Sequence, residues 1–85
     1  AHARNGVMSE ALQLLLNYAF DTLGLHRIEA ACLPSNAPSR GLLAKSGFIQ
    51  EGLARRYLRI NGVWQDHVFF AILRADPRPG SPMYD

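Results

Sequence analysis

The sequence predicts an α/β (α+β) domain with the order helix, strand, helix, strand, strand, and three patterns carry that expectation. Apolar residues recur every three or four positions from Val7 to Leu23, which is a helical period. A short β-rich run, Arg27 to Leu33, stops at Pro34, and Asn61-Gly62 separates two longer β-rich runs in the manner of a two-residue hairpin turn. At 85 residues the chain makes one domain at most.

Each element follows from local chemistry. In the first helix Met8, Leu12, Leu15, Ala19 and Leu23 form the expected apolar stripe, widened by Val7, Ala11, Leu14 and Tyr18. Glu10, Gln13, Asn17 and Asp21 form the narrower polar stripe, and Gly24 is placed to end the helix in a left-handed turn. The ordering Asn36-Ala37-Pro38 opens the second helix, with Asn36 as N-cap and Pro38 in the first turn. That helix is expected to run to about Ser46 and to end at Gly47. Strand character returns from Phe48 to Ile60, interrupted near Gly52, and Val63 to Leu73 is the return strand. The Pro/Gly-rich segment 76–85 is expected to be a flexible tail. A helix this apolar needs a sheet to cover, and three strands are few for it, so a fragment or one half of a divided domain is expected.

Composition excludes several classes. With 48% hydrophobic and 19% charged residues the chain is globular, not disordered. A net charge of +2 suits an anionic ligand and a nucleic acid equally. One cysteine excludes an internal disulfide and points to a reducing compartment, so a cytoplasmic location is expected. No apolar run approaches the roughly 20 residues that cross a bilayer, and no signal-peptide order opens the chain. Three scattered histidines and Cys32 make neither a zinc pattern nor a Cys–His nucleophile pair, so no metal is expected.

The chemistry-bearing positions admit two readings each. Arg4-Asn5-Gly6-Val7-Met8 is expected as a turn leading into the first helix. A helix N-terminus binds anions through unpaired amides, although a glycine before a helix is more often only a turn. Asn36 and Ser39 share the head of the second helix, which capping alone explains. Lys45 complements the negative end of that helix. Asp66 and His67 are adjacent on a strand and therefore point to opposite faces. Arg55, Arg56 and Arg59 form a basic patch of the kind that touches RNA, or that is simply solvated.

Taken together, three segments resemble the acetyl-coenzyme A half of the GNAT N-acetyltransferases: the Ala3–Met8 turn, the run from Glu29 to Gly47-Phe48, and the hairpin from Glu51 to Val68. The hairpin is most similar to that of the bacterial ribosomal-protein alanine N-acetyltransferases. The sequence departs from the family's turn pattern at Ala3, where Gln or Arg is usual, and at Met8, where Gly or Ala is usual. The resemblance implies the C-terminal portion of a GNAT fold over residues 1–75, with a mixed sheet and without the N-terminal portion. It implies acetyl-CoA as cosubstrate, held at its diphosphate by the backbone of Ala3, Arg4, Asn5, Gly6, Val7 and Met8. Asn36 would lie along the pantetheine arm, and Ser39 near the sulfur, polarising the thioester or protonating the departing thiolate. Asp66 would orient the acceptor amine, and Tyr57 would border its channel. The implied acceptor is a protein or peptide N-terminus, most nearly the alanine of a ribosomal protein, with neither DNA nor membrane as partner. Pairing with the missing N-terminal half, or a homodimer, would complete the site. The alternatives are a non-catalytic basic module binding RNA or protein through the three arginines, and a related enzyme acetylating a polyamine or an antibiotic.

Overall fold

A computed structural model describes residues 2–79 of the chain, with side chains described from residue 7 onward. The order is α1 (His2–Asn17), continued by a π-helical turn (Tyr18–Thr22), then β1 (Arg27–Cys32), α2 (Ala37–Lys45), β2 (Ile49–Ile60) and β3 (Val63–Leu73). The expected element order is therefore found. The three strands form one sheet in the order β1-β3-β2, and both pairings are antiparallel. The expected mixed sheet is corrected to that extent: β3 runs against both neighbours, so no parallel pair exists among the described residues.

Turn chemistry behaves as read. Asn61 and Gly62 have φ of +51° and +79° between β2 and β3, the two positive values of a type I′ turn. Gly24 and Gly47 end their helices at φ +71° and +102°. Asn36 Oδ1 accepts from the Ser39 amide at 3.2 Å, so the N-cap is formed.

Three further expectations are corrected. First, residues 4–8 are helical and not a turn, because α1 reaches back to His2. Ala, Arg and Met are strong helix formers, and one glycine costs only about 1 kcal/mol inside a helix, too little to break it. Second, α1 is rotated relative to its expected stripe. Leu16, Ala19 and Phe20 are buried, with Leu12 packed beside them, whereas Leu15 and Leu23 are more than half exposed. Two apolar stripes overlap on this helix, and helical period alone does not choose between them. Third, the tail is not free along its whole length: Arg78 is buried against the end of α1. Residues 80–85 of the expected tail lie outside the described residues.

The core sits between the helices and one face of the sheet. Leu16 and Phe20 meet Leu43, Phe48, Cys32, Val68, Phe70 and Ile72, with Ile28 and Ala30 at its edge. Each fully buried side chain of this kind contributes about 1.5–3 kcal/mol relative to exposure. The alternation of β3 places Val68, Phe70 and Ile72 on this face and His67, Phe69 and Ala71 on the other.

Candidate functional site

The site is built where α1 passes over the head of α2. Met8 and Ser9 on α1 face Pro38, Ser39, Gly41, Leu42 and Lys45 on α2 across a groove of about 310 Å³. Two features of α2 place these groups. The Asn36 cap starts the helix and uses the Ser39 amide. Pro38, Leu42 and Lys45 then fall at i, i+4 and i+7, so they share one face. Leu43, one position on, turns inward and is buried in the core. The walls are apolar, with two hydroxyls and one ammonium group. That set suits an elongated ligand with an apolar or amide body and an anionic end.

Of the expected coenzyme residues, the structure brings Met8 and Ser39 together across this groove. Asn36 stands at the head of α2, with its Oδ1 engaged in the cap. Val7 is exposed on α1 and does not line the groove. Ala3, Arg4, Asn5 and Gly6 lie in the helical backbone, and their side chains are outside the described residues. A helix running back to His2 directs the amides of Gly6, Val7 and Met8 at carbonyls one turn earlier, not outward from a loop. Sequence reasoning missed Ser9, Pro38, Gly41 and Leu42, and read Lys45 only as a complement to the helix dipole. The signal that would have found the α2 members is the i, i+4, i+7 spacing named above.

The two expected acceptor-side residues both bear on one irregular stretch of β2. Asp66 Oδ1 accepts from the Arg56 amide at 2.8 Å, where Arg56 adopts φ +50° inside an irregular stretch of β2 between Ala54 and Leu58. The carboxylate thus holds a strained bulge. Tyr57 lies on the face of the sheet away from the helices, its ring edge-on to Phe69 at 4.8 Å and to His67 at 5.4 Å. His67 is buried on the same face, because the bulge folds Tyr57 over it. Arg55, Arg56 and Arg59 are exposed on β2.

A second polar cluster lies at the sheet surface. Arg27 donates to Glu29 at 2.9 Å and to Glu51 at 2.6 Å. The hydrogen bond from Arg27 holds the Glu51 carboxyl below the usual carboxylate range, and the same contacts push the Arg27 guanidinium further above its own. All three groups are solvent-exposed, so the cluster is worth little in stability. Among the described residues no three His, Cys, Asp or Glu side chains are grouped to hold a metal ion. Among them, too, no helix is long and apolar enough to cross a membrane.

Comparison with known proteins follows the same residues. Residues 1–49 match the family model described as an acetyltransferase (GNAT) domain. The probable N-acetyltransferase YjcK of Bacillus subtilis is 51% identical over 76 residues, covering 89% of this chain and 42% of that protein. The [ribosomal protein uS5]-alanine N-acetyltransferase of Escherichia coli is 45% identical over 75 residues, covering 88% and 39%. Among solved structures, Mycobacterium smegmatis RimJ in complex with CoA-disulfide superposes with a TM-score of 0.77 at 47% identity, covering 80% of this chain and 32% of that one. A spermidine N-acetyltransferase SpeG chimera from Vibrio cholerae and hSSAT gives a TM-score of 0.77 at 30% identity, covering 81% and 42%. The chain spans about two fifths of the length of the curated relatives it matches.

Proposed function

We propose, since this chain belongs to the GNAT acetyltransferase family, that it binds acetyl-CoA in the groove between α1 and α2 and serves transfer of the acetyl group to a primary amine. The observation that carries the proposal is the meeting of Met8 and Ser9 with Ser39 and Lys45 across one groove, some thirty residues apart in sequence. Its apolar walls suit a pantetheine arm, and the Lys45 ammonium suits a phosphate. The similarity to a structure holding a CoA compound supports the same ligand.

The chemistry asked of these residues is modest. The thioester supplies an acyl carbon open to attack. The neutral amine forms the C–N bond, the C–S bond breaks, and one proton leaves the nitrogen while the sulfur gains one. An α-amino group with a pKa near 8 yields enough neutral amine at neutral pH for a weak base or water to suffice. Ser39, half-buried in the groove wall, is the group proposed to hydrogen-bond the sulfur as it takes on charge. The backbone of residues 3–8 is proposed to hold the diphosphate, which requires the first turns of α1 to open from the helical state. Asp66 and Tyr57 remain the proposed acceptor-side residues, Asp66 acting by holding the bulge that carries Tyr57.

The acceptor proposed is an N-terminal alanine of a ribosomal protein, supported by the 45% identity to the uS5 enzyme. A polyamine is the competing acceptor, supported by the more distant likeness to a spermidine enzyme. Calorimetric titration with acetyl-CoA tests the cosubstrate, with binding expected in the micromolar range typical of such enzymes. Ser39→Ala is expected to lower the acetyl-transfer rate about tenfold while leaving acetyl-CoA affinity within threefold, the size of one lost general-acid or hydrogen-bond contribution. Thiol release measured with an Ala-initiated peptide and with spermidine separates the acceptors. No uptake of acetyl-CoA by the wild-type protein would overturn the reading.

A further inference from the structure

The segment after β3 folds back onto both helices. Asp76 Oδ2 accepts from the Leu73 amide at 2.9 Å, and the Asp76 amide donates to the Leu73 carbonyl at 3.0 Å, which turns the chain back toward the helices. Arg78 then packs against the end of α1 with only 1% of its side chain exposed. Its Nε and Nη2 donate to Asn17 Oδ1 at 3.3 and 3.1 Å, and its Nη1 donates to the Arg74 carbonyl at 3.3 Å. Asp21 Oδ1 lies 3.8 Å from Nη2, and the guanidinium carbon is 4.8 Å from the centre of the fully buried Phe20 ring. A buried guanidinium with this many partners is held firmly, because leaving any of its donors unpaired is costly.

The same segment reaches the second helix. The Pro77 carbonyl lies so close to Gly47 that a Cβ there would stand 2.7 Å from it. Gln13 on α1 donates to the Pro79 carbonyl. Arg78 and Pro79 line a small cavity of about 120 Å³ with Ser9, Gln13, Leu16, Lys45 and Ser46. Two of those residues, Ser9 and Lys45, also line the main groove. One short segment therefore touches α1, its π-helical end and the α2–β2 turn, and it lines a cavity that shares Ser9 and Lys45 with the groove between the two helices.

We propose that Asp76–Pro79 is a strap that sets the spacing of α1 and α2, with Arg78 a positioning residue for acetyl-CoA binding. The proposal rests on the groove being the acetyl-CoA site. Arg78 acts by fixing Asn17 and Phe20, and so the rotation and height of α1 over α2. A groove held at the right spacing only part of the time binds more weakly in proportion to that fraction.

The test is calorimetric titration of acetyl-CoA into the wild-type protein, Arg78→Ala, Arg78→Lys and a matched control, Val68→Ala, which thins the core without touching the strap. Titrations are run well below every melting temperature. Arg78→Ala is expected to raise the acetyl-CoA Kd about tenfold, the result of a competent groove populated about one tenth of the time. Arg78→Lys, which keeps the charge and one donor toward Asn17, is expected to recover most of that loss. Val68→Ala is expected to lose melting temperature with its Kd unchanged. Amide hydrogen exchange on the unliganded proteins should show faster exchange in both α1 and the α2–β2 turn for Arg78→Ala alone. An Arg78→Ala protein that binds like wild type, or a Val68→Ala protein that loses the same affinity, overturns the strap. Failure of the wild type to bind overturns the reading of the groove instead, and it is distinguishable because no substitution is involved.

Discussion

Gly47→Ala probes the join between α2 and the strap, and its magnitude follows from the structure. Gly47 has φ +102°, where an L-residue carries a backbone penalty of about 1–3 kcal/mol. An added Cβ would also stand 2.7 Å from the Pro77 carbonyl oxygen and 3.2 Å from Ile72 Cδ1. The first contact is with backbone and the second with a fully buried core side chain, so neither neighbour yields cheaply. Overpacking of this kind adds about 1–3 kcal/mol, for a total near 2–6 kcal/mol. In a domain of this size each kcal/mol lowers the melting temperature by about 4–8 °C, so a fall of at least about 8 °C is expected by differential scanning calorimetry. Gly52→Ala is the internal control, since a Cβ there meets nothing within 4 Å and the change should stay within about 0.5 kcal/mol. A Gly47→Ala protein melting within 3 °C of wild type would show that the chain near Pro77 yields freely, and the close approach of strap to turn would lose its meaning.

Other perturbations separate structure from chemistry. Gly6→Ala should raise helix stability by about 1 kcal/mol yet weaken acetyl-CoA binding, because opening α1 for the diphosphate becomes harder; tighter binding would sink the proposed use of that segment. Asp66→Ala removes the acceptor of the Arg56 amide and should cost about 1–2 kcal/mol in urea denaturation, with the near-ultraviolet signal of Tyr57 altered; an unchanged midpoint would free Asp66 from its structural role. Glu51 has its folded-state pKa lowered by Arg27, so its contribution is present above the unfolded value and lost as pH falls through the folded one. Melting temperature from pH 6 to pH 3 should therefore fall slightly further in wild type than in Glu51→Gln, with the difference shrinking at high salt; the opposite order would refute the assignment.

Local chemistry settled much of this protein in advance. The helix cap at Asn36, the Asn61-Gly62 turn, the glycine stops at Gly24 and Gly47 and the strand alternation that separates Asp66 from His67 all depend on near neighbours, and neighbours are what a sequence displays. Tertiary packing decided the remainder. Periodicity alone left two faces of α1 open to burial, and the seat of Arg78 against Asn17 and Phe20 goes with the burial of Leu16 and Phe20 over that of Leu15 and Leu23. Burial of His67 likewise depends on a bulge in the partner strand, and the groove depends on Ser9 meeting Lys45 across two helices. Contacts between residues thirty or sixty positions apart leave no local spacing to read, because their free energy comes from surfaces that exist only once the chain has closed on itself.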